Sequence, residues 1–419
     1  MAAICLCSFT LLAILSHRDG GPELEIYLAL HGLIGITLLT YWIWLSHHQL
    51  EISLAIIIIF ACVLRLIGLL GAPIFEDDYY RYLLDGCVFA QHGSPYGIAP
   101  EALFAKNDLN SQCNAVLSWV NNPDIPTIYG PALQYLFLLA NYISPANLYI
   151  LKIILILPDI GVIIVLSKMT AAKNLLLYAW NPLIIKEIAF TAHPDIVGIF
   201  FLLSAFYIFR QGKFFLASVL VALACGSKIF ALLLVPYFIW RQKLSTILAI
   251  PAVILILYLP FILQGQSDLS VVNLFVQQWQ FNSYVYSPLL NFLSDSSARI
   301  LCAVIFIAWW CYYFFRFQRK QQPKTLPRFE WILGMFLLLS PVLNAWYVIW
   351  LLPFATMHRH IWPWVVSASI SLSYAVGLNL ADSSLGAYQV APWAWVTQLI
   401  LLATAISFDF YKSKVLNQN

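Results

Sequence analysis

Charge is scarce in this 419-residue sequence: Asp, Glu, Lys and Arg together make up 10% of the chain, and the net charge is only +3. The basic residues fall in short clusters and form no stripe or patch, so nucleic acid has no electrostatic footprint here. There is no Walker A loop and no G-x-G-x-x-G, which removes the sequence basis for soluble nucleotide binding. Neither H-x-x-x-H nor H-E-x-x-H occurs, and no cofactor or metal is expected; adjacent acids alone would hold at most a loosely bound hard cation. The eight cysteines contain no C-x-x-C pair. Cys5, Cys7, Cys62, Cys225, Cys302 and Cys311 lie in apolar runs, where cysteine acts as a small hydrophobe. Cys87 and Cys113 fall in a polar stretch, and spacing alone leaves their pairing open. The apolar stretch Ile4 to Leu15 has no basic segment before it and no small-residue cleavage site after it, so a retained first helix is expected rather than a removed signal peptide. No fixed-period repeat, low-complexity tract or soluble domain stands out.

What the chain has instead is apolar surface. Hydrophobic residues make up 62% and aromatics 16%, with a mean hydropathy of +0.82. That is far more than one soluble core can hide, and it predicts an all-α polytopic membrane protein, residues 1–419 forming one integral-membrane domain. The apolar runs suggest roughly 12–14 transmembrane helices, although several runs are shorter than the ~20 residues that span ~30 Å of hydrocarbon, so half-helices and broken helices are expected. Lys168 with Lys173, Arg210 with Lys213, Arg241 with Lys243, the Arg316 to Arg328 cluster, Arg359, and Lys412 with Lys414 mark alternate turns as cytoplasmic. The opposite turns then face outward: His193-Pro194-Asp195, Ser227-Lys228, Gln264 to Ser297, Leu339 to Trp346 and Ala381 to Tyr388. This parity closes only if Pro131 to Ile143 is a re-entrant or interfacial helix.

The segment from Gly71 to Gly130 is different in kind and forms an extracytoplasmic loop subdomain in this reading. It opens on Glu76-Asp77-Asp78-Tyr79-Tyr80-Arg81-Tyr82-Leu83-Leu84-Asp85-Gly86. Clustered acids in so uncharged a chain admit two readings. Carboxylates at a helix start satisfy free N–H groups and oppose the positive end of the dipole. Alternatively, they form a catalytic base and acceptor clamp at a membrane surface. Asp78, Arg81, Tyr82 and Asp85 share one helical face by their i, i+3, i+4, i+7 spacing, which predicts an amphipathic helix lying along the surface and stopped by Gly93 and Pro95.

Position favours chemistry, because the unusual polar residues of the outward turns all fall on the same face as the acids, and charges near a bilayer tend to mark a cavity. Lys228 lies between two apolar half-spans on the face opposite the other cations; snorkelling to headgroups is the plain alternative to binding a phosphate. His193-Pro194-Asp195 equally suits a helix start. Arg65 in an apolar run and Lys186-Glu187 are weaker candidates, since neighbours i and i+1 do not face one another on a helix. Pro341 and Asn344 interrupt an apolar run at the outward face, as broken helices lining cavities do.

In this order, the acidic block, Ser94-Pro95-Tyr96, Ile125-Pro126-Thr127-Ile128-Tyr129-Gly130-Pro131, Tyr178-Ala179-Trp180-Asn181-Pro182, His193-Pro194-Asp195, Ser227-Lys228 and Ser340-Pro341 through Trp346-Tyr347 resemble integral-membrane glycosyltransferases of the GT-C superfamily. The resemblance is closest to the polyprenyl-phosphate-mannose-dependent mannosyltransferases and runs from about residue 70 to 355. It implies a multi-span hexosyltransferase of the inner (plasma) membrane whose active site faces the extracytoplasmic side. The implied partners are a polyprenyl-phosphate sugar donor, a lipid-linked or glycan acceptor, and membrane lipids. Asp77 and Asp78 match the paired catalytic acids, and Glu76 stands where the family varies. Arg81 and Lys228 are expected at the donor phosphate, and His193 and Asp195 around the sugar; Asp85, Tyr129, Asn344 and Tyr347 complete the substrate-binding set. Two departures stand out: Asn344 where the family often has His, and Gly130 in place of a common Pro. The rivals are a polytopic transporter or flippase, which predicts inverted repeats that the sequence does not display, and a non-catalytic assembly partner.

Overall fold

The computed structural model describes residues 1–105, 109–320 and 325–416. Among these the chain is helical, with no strand and two isolated bridges, Phe281 with Val342 and Val376 with Val390. Five helices are long and apolar enough to cross a membrane: Leu24–His47, Leu148–Ser167, Leu244–Ile262, Asp295–Arg319 and Pro392–Lys412. Their outer surfaces carry exposed side chains such as Ile36, Leu157, Ile256, Ile300 and Ile400, which only a lipid environment accommodates in such numbers. Shorter apolar helices, including Ala2–Ser16, Leu54–Leu70, Phe214–Ser227 and Phe329–Leu339, pack among them.

Counted by length, the helices fall short of the expected 12–14 spans because several apolar runs are interrupted. Ile361 to Leu380 divides into Trp362–Ser369, a 3₁₀ turn Ile370–Tyr374 and Gly377–Leu380. The run after Lys228 begins as a 3₁₀ segment, Ile229–Leu234, and that after Asn344 as another, Ala345–Trp350. A helix that starts at Pro182 turns into a π segment over Ile185–Phe190. The expectation of half-helices and broken helices holds, and irregular backbone inside a membrane domain is tolerated where it lines a cavity. Pro131–Ile143 is a helix of 13 residues, about 20 Å long at the usual rise per residue.

The Gly71 to Gly130 segment packs onto Pro131–Ile143 and Leu148–Ser167 through its helix Tyr79–His92. Tyr79–His92 ends at Gly93, whose φ of 75° supplies the left-handed residue expected at this stop. The helix is buried from Arg81 through Phe89, so its polar face is covered by other parts of the chain and not by solvent. Its polar face is turned inward, where Asp85 accepts hydrogen bonds from Thr127 and from Gln134 Nε2 (2.9 Å). On the other side Cys87 forms a disulfide with Cys113, so the pairing left open by spacing is made. The bond fastens Tyr79–His92 to the short helix Ser111–Leu117.

Two buried cations brace the approach to the acids. Arg65 pairs with Asp159 at 2.8 Å and donates to the carbonyl oxygen of Ala179, while Tyr178 donates to the same Asp159 at 2.9 Å. Lys152 donates to the carbonyls of Gly71 (2.6 Å) and Gly68 (3.3 Å), a cation at the negative end of Leu54–Leu70.

Candidate functional site

The turns expected on one face converge. A cavity of about 2490 Å³ is lined by residues from each of five regions: 73–81, 121–130, 225–233, 336–347 and 373–388. Part of its wall is apolar, contributed by Ile254 and Leu255 of Leu244–Ile262 and by Ile300, Ala303 and Ile307 of Asp295–Lys320. The other part holds Glu76, Asp77, Asp78, Tyr129, Lys228 and Tyr347. A space of this size, apolar along one wall and charged along another, suits an amphiphilic ligand.

The acids are presented by a strained turn. Phe75, immediately before them, has φ 59°, a left-handed conformation costly for a bulky residue, and is held there by ring contacts with Tyr27 and Tyr374. Asp78 occupies the N-cap position of Tyr79–His92, yet its side chain makes no capping hydrogen bond. Capping therefore does not explain the cluster. Asn121 does the holding: its Nδ2 donates to Asp77 Oδ1 at 2.8 Å and to Asp78 Oδ1 at 3.0 Å. Asn121 is fixed in turn by Arg81, whose guanidinium donates to the carbonyls of Asn121 (3.0 Å), Asn122 (2.9 Å) and Ile125 (2.9 Å). Arg81 borders the cavity, but these carbonyls engage it as a clamp on the loop, in place of the direct phosphate contact expected of it.

Desolvation raises the Asp77 carboxyl above its ordinary value; the Asn121 amide opposes this and the neighbouring Asp78 charge adds to it. Desolvation also pushes Glu76 well above the carboxylate range, with Lys186 pulling the other way and the surrounding acids pushing further. Burial thus favours the protonated form of Glu76. Asp85, behind the wall, is raised to about 6 by burial, offset in part by Arg81, Thr127 and Gln134.

A second cluster backs the first. Glu187 receives Lys186 Nζ at 3.1 Å, His193 Nδ1 at 3.0 Å and the Tyr374 hydroxyl at 2.7 Å. Lys186 and Glu187 do meet, contrary to expectation, and the Tyr374 hydroxyl joins both, 2.6 Å from Lys186 Nζ and 2.7 Å from Glu187 Oε1. His193 follows Ala192, a second left-handed residue at φ 62°. Its ring stacks on Trp346 with centroids 4.0 Å apart, and its Nε2 is buried without a partner. His193 is fully buried and borders the cavity only through Trp346, which does line it.

The third cluster carries the positive charge. Lys228 Nζ lies 2.7 Å from Asp195 Oδ1, which also accepts the Trp350 indole N–H at 2.7 Å. Asp195 is 2% exposed whereas Lys228 is 16% exposed and faces the cavity, its ammonium 4.5 Å from the centroid of the Tyr347 ring. Tyr129 is brought here by close backbone approach: a Cβ at Gly130 would stand 2.3 Å from the Gly226 carbonyl oxygen, so only glycine fits there. Tyr129 and Tyr347 line the same cavity as the acids and Lys228.

Of the expected site residues, Glu76, Asp77, Asp78, Arg81, Tyr129, Lys228, Asn344 and Tyr347 line the cavity; Asp85, His193 and Asp195 stand behind its wall. Sequence reasoning missed Asn121, seen only as part of a turn, and gave Trp346 and Tyr374 no role. Among the described residues no group of three or more His, Cys, Asp or Glu is arranged to hold a metal ion.

Residues 5–243 match the family described as alpha-(1->6)-mannopyranosyltransferase, N-terminal domain. No curated protein and no solved structure matches the chain.

Proposed function

The chain belongs to the alpha-(1->6)-mannopyranosyltransferase family, a family of glycosyltransferases, and from that premise we propose that it takes mannose from polyprenyl-phosphate mannose and passes it, with inversion, to a glycan or lipid-linked acceptor at the extracytoplasmic face. Membership in an enzyme family sets aside the transporter and assembly-partner readings. The observation that carries the donor assignment is the two-sided wall of the cavity: an ammonium group beside the acids, and next to it an apolar surface from two long helices. An isoprenoid tail fits the apolar wall while its phosphate reaches Lys228.

In this proposal the acceptor hydroxyl attacks the anomeric carbon and gives its proton to Asp77. A new C–O bond forms as the bond from that carbon to the phosphate oxygen breaks, and the electron pair leaves on the phosphate. The transition state resembles an oxocarbenium ion, and inversion needs a base on the face opposite the leaving group. Asp77 is taken as the base because it lines the cavity and burial raises its carboxyl, which strengthens proton acceptance. Lys228 offsets the charge that develops on the departing phosphate, so no general acid is required there. Glu76, held protonated, shapes the acid turn and does not act as base. Arg81 and Asp85 act at one remove, by fixing the loop that carries Asn121.

The extracytoplasmic placement is supported by the Cys87–Cys113 disulfide on the acid-bearing loop, since such bonds persist outside the reducing cytoplasm. The test is incubation of the purified full chain with polyprenyl-phosphate mannose and an α-(1→6)-linked mannan acceptor. Lengthened acceptor together with released polyprenyl phosphate is the expected result; transfer from a nucleotide sugar but not from the lipid donor would remove the donor assignment.

A further inference from the structure

The C-terminal part of the chain, outside the region that the family description covers, delivers one side chain to the acid end of the cavity. Val376 and Val390 bridge the two arms of a hairpin. Its arms are joined by Gly377 N–H to Gln389 O (3.2 Å), Leu378 N–H to Ala387 O (3.0 Å) and Ala391 N–H to Ala375 O (2.8 Å). The arms approach so closely that a Cβ at Gly377 would lie 2.6 Å from the Gly386 carbonyl oxygen. The base of the hairpin is tied into the buried cluster, because Asn379 Nδ2 donates to the Tyr374 carbonyl (2.8 Å) and the Tyr374 hydroxyl donates to Glu187. This rigid support carries Tyr388, which is 70% exposed and lines the same cavity as the acids.

We propose that Tyr388, with Asn379 beside it, is the stacking platform for the acceptor sugar, and that the acceptor is a carbohydrate chain entering at the acid end of the cavity. The inference rests on the mannosyltransferase reading and deepens it by naming the acceptor and its subsite. Three observations support it. An exposed aromatic ring on a braced hairpin offers a flat apolar face with a polar edge, the surface on which sugar C–H faces stack. The cavity lining also includes residues that are polar or without side chains, among them Gly20, Gly21, Asn121, Asn122 and Asn379, in contrast to the aliphatic lining from Leu244–Ile262 and Asp295–Lys320. The ring is also within reach of the acids: desolvation and then the charges of Asp77, Glu76 and Asp78 hold the Tyr388 phenol above its usual value.

The experiment is binding of α-(1→6)-mannotriose to the purified full chain in detergent, by equilibrium dialysis and without donor. Wild type is expected to bind, Tyr388→Ala to bind about ten-fold more weakly with an unchanged thermal unfolding midpoint, and Tyr388→Trp to bind like wild type; ten-fold is 1.4 kcal/mol, the scale of one aromatic contact. Tyr388→Leu keeps apolar bulk without a ring and is expected to behave like Tyr388→Ala. Equal binding by all four proteins, or none by wild type, would overturn the subsite, as would unchanged binding with altered membrane partition, the result for a plain interfacial anchor. A failure of the mannosyltransferase reading appears separately, as no transfer from polyprenyl-phosphate mannose by wild type.

Discussion

Asp159 and Asp195 are both buried, both ion-paired and both bonded to an aromatic side chain, yet they do different work. The Asp159 pair is closed: Arg65 is 1% exposed, its guanidinium also reaches the Ala179 and Ala61 carbonyls, and Tyr178 covers the carboxylate. The Asp195 pair is closed on one side only: Trp350 covers the acid while Lys228 looks into the cavity. A closed pair fixes helices and is sealed away from any ligand. A half-open pair holds a cation in place, at a cavity wall, for an anion that is not part of the protein. In a membrane domain, then, burial of the acid does not separate structural from functional charge; the exposure of its cation does.

The sharpest way to extend that contrast is at the acids, which line the cavity directly. Asp77→Asn removes the proton acceptor and leaves the shape, so transfer is expected to fall by about 10³-fold, within the usual range for loss of a general base, with an unchanged thermal unfolding midpoint. Transfer within ten-fold of wild type would remove Asp77 from the chemistry. Arg65→Ala is the opposite case. It strands a buried carboxylate, and breaking such a pair costs about 3–5 kcal/mol, so the midpoint should drop steeply while any folded fraction retains its turnover per folded molecule. Lys228→Gln falls between these. Turnover is expected to drop of order 10²-fold, the scale of removing one charge-stabilising donor, with a smaller change in stability than Arg65→Ala because the cavity reaches the vacated site. If Lys228→Gln and Arg65→Ala gave the same ratio of activity loss to stability loss, the distinction between half-open and closed pairs would fail.

The same contrast explains what was legible in the sequence. Scarcity of charge made Glu76 to Asp78 and Lys228 conspicuous, and the positive-inside count put them on one face, where the cavity gathers them. The helical composition and the interrupted runs followed from hydropathy and from proline and asparagine positions. The direction in which helical side chains face did not. Spacing put Arg81 and Asp85 on one polar face of Tyr79–His92, but a polar face serves solvent, ligand or another part of the chain equally well, and here the loop 121–134 takes it. Lys186 and Glu187 were discounted by neighbour spacing, and the Tyr374 hydroxyl that bridges them comes from a distant part of the chain, where the sequence gives no sign of it. Asn121 carried no signal at all, since its contacts join residues more than 40 positions apart and an Asn-Asn-Pro sequence announces only a turn.

Asn121 also gives the smallest and most diagnostic effect. Its amide favours the ionised form of Asp77, so removing it raises the Asp77 pKa further. The base must be ionised to accept a proton, which makes activity fall as pH falls through that pKa. In Asn121→Ala the acid limb of the rate profile is therefore expected to move to higher pH, with a loss of about ten-fold on the acid side, the scale of one hydrogen bond to a charged group. The rate should recover towards wild type on the alkaline side. A merely misplaced acid turn would instead lower the rate by the same factor at every pH, so the position of the acid limb, and not the height of the profile, separates tuning of the base from loss of its geometry. The outcome also ranks the two acids. Asn121 touches both, and only if Asp77 is the proton acceptor does Asp77→Asn abolish the limb that Asn121→Ala displaces, while Asp78→Asn leaves a limb in place.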